Sequence, residues 1–396
     1  MKRKKHKKYC KGHKRNVAIG LIALLSFCFL SLFSTSPELF FGKGIVGAAI
    51  LKNKCTATPE SYVFVGSNDN WVYAFDENTG CIVWKYDAGG DIKASPLILD
   101  DTVYVATTQN KIHAITIVDG TKQWGAEVSG KVFGSLVTDG NHIFAADNSG
   151  TLTAFLLDGS QDWTDSDSFH NIKENLQLEN NILYLVDEYL KVGTVIAFDL
   201  EHFKEIWRFS AKSSIMAEPL ITTDAIYVPS NEGVLYKLNK EHGVAVWMFK
   251  AEKSIRTTPV MDEDGILYFG SNDGNVYAVN SLDGSFVWKY FISHEIEASA
   301  SLDERAVYVG AMDNKIYALD KVTGALLWSF TTQGKMYGNT VVLNGKGYVT
   351  SADYTVYAFD ATTGTMLWNY KTGGAVYSGV TIKEKEVVTE EIELLS

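Results

Sequence analysis

Eight tryptophans cut this 396-residue chain into nearly equal lengths. They stand at Trp84, Trp124, Trp163, Trp207, Trp247, Trp288, Trp328 and Trp368, in steps of 40, 39, 44, 40, 41, 40 and 40 residues; only Trp71 of the nine lies outside the series. Two short runs of alternating apolar and polar residues precede each one, as in residues 347–368, GYVTSADYTVYAFDATTGTMLW. Alternation rich in β-branched and aromatic residues marks half-buried strands, and turns such as Asn272-Asp273-Gly274 between them mark tight hairpins. A period of about 40 residues with short strands is one four-stranded blade, and eight blades close into a ring with no long free edge. The expected fold is all-β: an eight-bladed β-propeller of four-stranded blades over residues 61–385.

Within a repeat, SPLILDD (95–101), TVYVAT (102–107), KIHAIT (111–116) and TKQWGAEV (121–128) read as strands A to D. The first repeat has no strand A before Tyr62, because residues 55–60 are too short and polar. A spare one, AVYSGVTIKEK (375–385), follows Trp368. The C-terminal segment is therefore expected to supply strand A of blade one and close the ring, leaving 386–396 as a tail. A glycine stands four residues before seven of the tryptophans (Gly80, Gly120, Gly159, Gly243, Gly284, Gly324 and Gly364), and Phe203 replaces it in the fourth and longest repeat. Glycine there supplies a positive φ, or bare backbone on which the indole of the adjacent blade can lie. All eight tryptophans read as structural docking residues.

Strand A is innermost and lines the channel. Alignment of the eight A strands places Lys93, Phe133, Lys173, Met216, Arg256, Glu297, Tyr337 and Tyr377 at one position. Two residues further on lie Ser95, Ser135, Asn175, Glu218, Thr258, Ser299, Asn339 and Gly379, so both sets share a face. The first set differs from blade to blade, as a site requires and a structural ring does not. Lys93, Lys173 and Arg256 repel one another at a channel mouth unless an anion lies between them. They are the candidate site for a carboxylate or phosphate, with Tyr337 and Tyr377 as walls. The alternative is a wet channel whose cations face water or pair with Glu297 and Glu218. No Walker loop, His-Glu-x-x-His or nucleophile elbow occurs, so no catalytic or metal-ligating residue is assigned. His113 takes a strand C place usually held by tyrosine and reads as core, and the Asn272-Asp273-Gly274 turn lacks the further acids of a calcium loop.

Residues 1–15 carry nine Lys or Arg and no acid, and residues 17–33 carry no charge. Residues 16–36 read as a hydrophobic helix, either a signal-anchor or a cleaved signal peptide, with 37–60 as connector. Both readings export the propeller; an anchor holds it to the membrane, and cleavage releases it. Residues 1–54 hold 12 basic residues and one acid, while the rest hold 24 and 46, a net of −22. Such a ring repels nucleic acid, and favours solubility or a cationic partner. Cys55 and Cys81 are the only cysteines after the apolar run. In an oxidising compartment they can pair and pin the N-terminal arm to blade one; two free thiols are the alternative.

The motif Ala-x-Asp-x-x-Thr-Gly-x-x-x-Trp is complete at Ala74–Trp84, Ala318–Trp328 and Ala358–Trp368, and partial at Ala114–Trp124 and Ala278–Trp288. It resembles the tryptophan-docking motif of the quinoprotein (PQQ-like) β-propeller repeat family. That family includes quinone-dependent dehydrogenases and non-catalytic propellers such as the scaffold subunit of the outer-membrane barrel-assembly machine. Two features depart from its members. There is no Cys-Cys pair of the kind the dehydrogenases carry beside their cofactor. Cys28 follows Phe27 inside the apolar run, unlike the cysteine of the lipoprotein scaffold subunit. The resemblance to the non-catalytic members implies a scaffold for a protein or cell-envelope partner, while export and membrane holding are read from the N-terminal segment and the missing Cys-Cys pair argues against a cofactor. The alternatives are a quinoprotein oxidoreductase using PQQ and calcium, and a small-anion sensor.

Overall fold

In the computed structural model, which describes residues 59–384, each repeat forms a four-stranded antiparallel sheet. The basic arm, the hydrophobic helix, all but the end of the connector, Cys55 and the tail lie outside the described residues. No helix occurs among the described residues, so none is long and apolar enough to cross a membrane.

Blade one shows how the ring closes. Its strands β1 (Tyr62–Gly66), β2 (Trp71–Asp76) and β3 (Ile82–Asp87) are joined by the last of the 32 strands among the described residues, β32 (Thr381–Lys383), in the order β3-β2-β1-β32. The register is Tyr62↔Lys383, Val63↔Ile382 and Phe64↔Thr381, so the C-terminal segment supplies the innermost strand as expected. Hydrophobic clusters lie between neighbouring blades; one packs Phe64 and Trp84 of the first blade against Val103 and Ile115 of the second.

The docking motif has a physical reading at each residue. In all eight blades the pairing of the third and fourth strands slips by one residue just before the tryptophan. In blade one Ala74 faces Trp84 and Phe75 faces Ile82. Such a bulge re-aims the side chains that follow it, and a small residue opposite leaves room for the indole. The Asp76 carboxylate accepts the N–H groups of Asn78 and Thr79 at 3.0 and 2.9 Å, closing the turn. Gly80 follows at φ +67°, and a Cβ there would stand 2.5 Å from Cδ2 of Trp368. Seven indoles lie on the glycine turn of the next blade in this way. The same seven donate their N–H to a carbonyl of that turn at 2.6–3.1 Å.

The fourth blade departs from this pattern. Its extra residues lengthen β13 (Ile182–Tyr189) and β14 (Val192–Asp199) to eight residues each. Phe203, in the glycine's place, adopts φ +50° and meets Trp163 edge-on, with ring centroids 5.1 Å apart at 88°.

The innermost strands are only two or three residues long, shorter than the seven-residue strand A read from the sequence. The preceding residues leave the ladder because the turn between the blade's second and third strands takes their carbonyls. Thr108 N donates to Asp91 O at 2.9 Å and Asn272 N to Ser254 O at 2.9 Å.

Candidate functional site at the channel mouth

These short extended segments carry the channel residues. Ile92, Ile172, Ile255, Met336 and Val376 are buried, while the intervening Lys93, Lys173, Arg256, Tyr337 and Tyr377 keep some exposure. The period-two assignment to two faces therefore holds although the segments are not laddered.

The six candidate residues fall into three groups. Arg256 is held sideways: its Nη1 lies 3.0 Å from Glu297 Oε1, and its Nε donates to Asn231 Oδ1 at 3.0 Å. Asn272 adds a second donor to the same Glu297 oxygen at 3.2 Å. Lys93 instead rests its ammonium 4.6 Å from the Tyr377 ring centroid, and Tyr377 meets Tyr337 edge-on at 5.3 Å. Burial holds the Lys93 ammonium below its ordinary pKa, with Asp91 partly offsetting it. Lys173 is exposed. Among the described residues neither Lys93 nor Lys173 has an ion-pair partner.

The second set of aligned residues forms a lateral belt. Ser135 N donates to Asn175 Oδ1 at 2.7 Å, and Asn175 Nδ2 donates to Glu218 Oε2 at 2.9 Å. Thr258 N donates to Ser299 Oγ at 2.8 Å, and Ser299 N to Asn339 Oδ1 at 3.3 Å. Among the described residues Glu218 is therefore met by amides and not by a cation, and burial raises its pKa.

Glu174 escaped the sequence reading. Burial pushes its carboxyl up to about 7, with the charges of Glu218 and Glu188 adding and Lys173 opposing. Its aligned positions hold small residues: Ala94, Gly134, Ala217, Thr257, Ala298, Gly338 and Ser378. A glutamate in that series was the available clue. His113 is core, as read: its Nδ1 lies 3.0 Å from the Tyr86 hydroxyl, and burial, then Lys122, push its pKa down to about 4. Cys81 is disulfide-bonded; Cys55, its expected partner, lies outside the described residues.

A sequence profile of the outer membrane protein assembly factor BamB family matches residues 44–180, 172–301 and 293–391, which together cover the whole ring. The chain belongs to the BamB family. The outer membrane protein assembly factor BamB of Escherichia coli (strain K12) is 21% identical to it over 208 residues, 52% of this chain and 50% of that protein. The chain thus spans about half the length of the curated relatives it matches. The crystal structure of BamB from Moraxella catarrhalis has a TM-score of 0.62 at 18% identity, covering 73% of this chain and 88% of that one. The quinohemoprotein alcohol dehydrogenase of Comamonas testosteroni has a TM-score of 0.63 at 12% identity, covering 73% and 68%. These two structural likenesses speak for the ring alone and do not choose between a scaffold and a dehydrogenase.

Proposed function

We propose that this BamB-family propeller is a non-catalytic scaffold for protein assembly in the cell envelope, exported and held at the membrane by its N-terminal segment. One observation carries the reading: the long β13–β14 hairpin presents apolar side chains to water. Tyr189 and Leu190 at its tip are 56% and 79% exposed. Leu190 and Lys191 have φ of +51° and +65°, a tight turn in which Asn-Gly is the favoured pair. A leucine and a lysine there cost roughly 1–2 kcal/mol each, and strain of this kind is kept where a side chain is being presented. His170 braces the tip, with its ring 4.4 Å from Tyr189 and its Nδ1 2.8 Å from Asp187 Oδ2. Family membership supplies the kind of process, since the relatives carry the name of assembly factors.

Deleting the gene is expected to lower the amount of β-barrel protein in the envelope several-fold. The wild-type gene restores it, and Leu190→Asp, with an unchanged melting temperature, does not. An unaltered envelope profile in the deletion strain rejects the assembly reading. Added PQQ and calcium are expected to give no alcohol-dependent dye reduction; turnover would put the quinoprotein reading in its place.

A small-anion site is the second reading, favoured by the half-buried Lys93, which has an aromatic neighbour and, among the described residues, no ion-pair partner. Millimolar citrate is expected to raise the melting temperature of the wild type and not that of Lys93→Ala. Absence of any rise in the wild type removes this reading.

A further inference from the structure

At the junction of blades three and four the docking arrangement fails, and a cleft opens. Phe203 fills the place where a glycine elsewhere receives the indole. Trp163 therefore meets the Phe203 ring at 88° and does not lie on bare backbone, and among the described residues its N–H lacks the hydrogen bond to the next blade that the other seven make. The cleft beside it has a volume of about 220 Å³. Trp163, Phe203 and Phe144 supply its aromatic surface, and Asp139, Asp162 and Glu201 its carboxylates. His142 lies between two of the acids, with Nδ1 2.9 Å from Asp139 Oδ2 and Nε2 3.4 Å from Asp162 Oδ2. Among the described residues Glu201 has no ion-pair partner.

We propose that this cleft receives a cation on an alkyl stem, the ammonium of a lysine or the guanidinium of an arginine, from a protein partner. Aromatic faces attract cations, and Trp163 and Phe203 stand at 88° to each other, offering two differently oriented surfaces. The carboxylates beside them exclude anions, and an apolar guest would desolvate them without return. The volume is below the roughly 300–1,000 Å³ of pockets for drug-sized ligands and has room for a single long side chain. The net charge of −22 over residues 55–396 draws basic partners towards the ring. The cleft uses none of the β13–β14 tip residues, so its failure and that of the scaffold reading are separable.

The test is calorimetric titration of the full-length protein with N-acetyl-arginine amide, N-acetyl-lysine amide and an Arg/Lys-rich decapeptide, with N-acetyl-glutamine amide as control. The cationic amides are expected to bind saturably, the control not, and the peptide more tightly than either amide. Phe203→Gly gives the turn the residue found in the seven other repeats. It is expected to let Trp163 dock, close the cleft and weaken binding at least tenfold without lowering the melting temperature. Asp162→Asn with Glu201→Gln keeps the cleft and is expected to weaken binding by a similar factor. No saturable binding by the wild type overturns the proposal, and so does undiminished binding by Phe203→Gly. A peptide that binds no better than the free amides overturns its assignment to a protein partner.

Discussion

A chain ending at Gly374 is expected to lose cooperative melting, while one ending at Glu384 melts with the full-length protein. The ten residues between them do more than add the three pairs of β32 to β1. The Ser378 hydroxyl accepts from Gly66 N at 3.0 Å and donates to Gly66 O at 2.9 Å, fully buried. Ala375 O accepts from Asn68 N at 3.0 Å, and Val376 and Val380 fill the core between the last blade and the first. Burying two valines is worth roughly 3–6 kcal/mol, and the buried hydroxyl bonds add roughly 1 kcal/mol each. That sum is comparable with the whole stability of an ordinary domain, about 5–15 kcal/mol. The truncated chain would also expose β1 as an unpaired edge, an invitation to aggregation. Circular dichroism melts and limited proteolysis of the two truncations decide the matter; equal melting temperatures would show that the closure contributes little. Trp368→Ala probes the same junction from its other side and is expected to cost about 4 kcal/mol. Trp163→Ala should cost less than half of that, because the indole of Trp163 is partly exposed and lacks the bond that Trp368 makes to Glu77 O at 2.8 Å.

Repetition made the ring legible. A residue that must do the same job eight times leaves a period, and the docking tryptophans, their glycines and the spare last strand were all visible for that reason. What repetition cannot convey is the direction of a side chain that differs in every blade. Lys93, Lys173 and Arg256 align at one ring position, which gave the picture of three cations meeting. Arg256 is instead satisfied sideways by Asn231 and Glu297, one blade to either side. Lys93 takes the face of Tyr377. Glu218 was open to a cation partner and has two amides, because Asn175 and Gln177 reach it first. The inner strands were read too long for a related reason: apolar alternation continues through residues whose carbonyls are claimed by a turn and not by a neighbouring strand. In the fourth repeat the extra length and Phe203 are plain in the sequence. Their consequences, a long strained hairpin and an open junction, are set by packing between blades that no single repeat encodes.

Acid is expected to destabilise the wild type relative to His113→Tyr. Five other blades hold a tyrosine at this strand position, Tyr73, Tyr236, Tyr277, Tyr317 and Tyr357, each bonded to the Asp or Glu four residues before it. In blade two that earlier residue is Gln109, and His113 turns to Tyr86 instead. The imidazole is 6% exposed, its Nε2 is buried with no hydrogen-bond partner among the described residues, and its pKa is held at about 4 against an ordinary 6.5. The unfolded chain takes up the proton near the ordinary value and the folded one does not, so stability is intact above about pH 6.5 and drains away as the pH falls towards 4. A shift of this size corresponds to roughly 3 kcal/mol once both states are protonated, and to roughly 2 kcal/mol at pH 4.5. The wild-type curve alone will not display it. Glu174, raised to about 7, works in the opposite sense: its carboxyl ionises more readily in the unfolded chain, so stability falls as the pH rises from about 4.5 to 7. The two slopes overlap and partly cancel. The difference between wild type and His113→Tyr removes the Glu174 contribution, which is common to both. Urea unfolding at pH 7.5, 5.5 and 4.5 should show the variant gaining on the wild type by roughly 2 kcal/mol across that range. A difference that stays constant with pH would mean that water reaches the imidazole at the His113–Tyr86 contact between blades one and two.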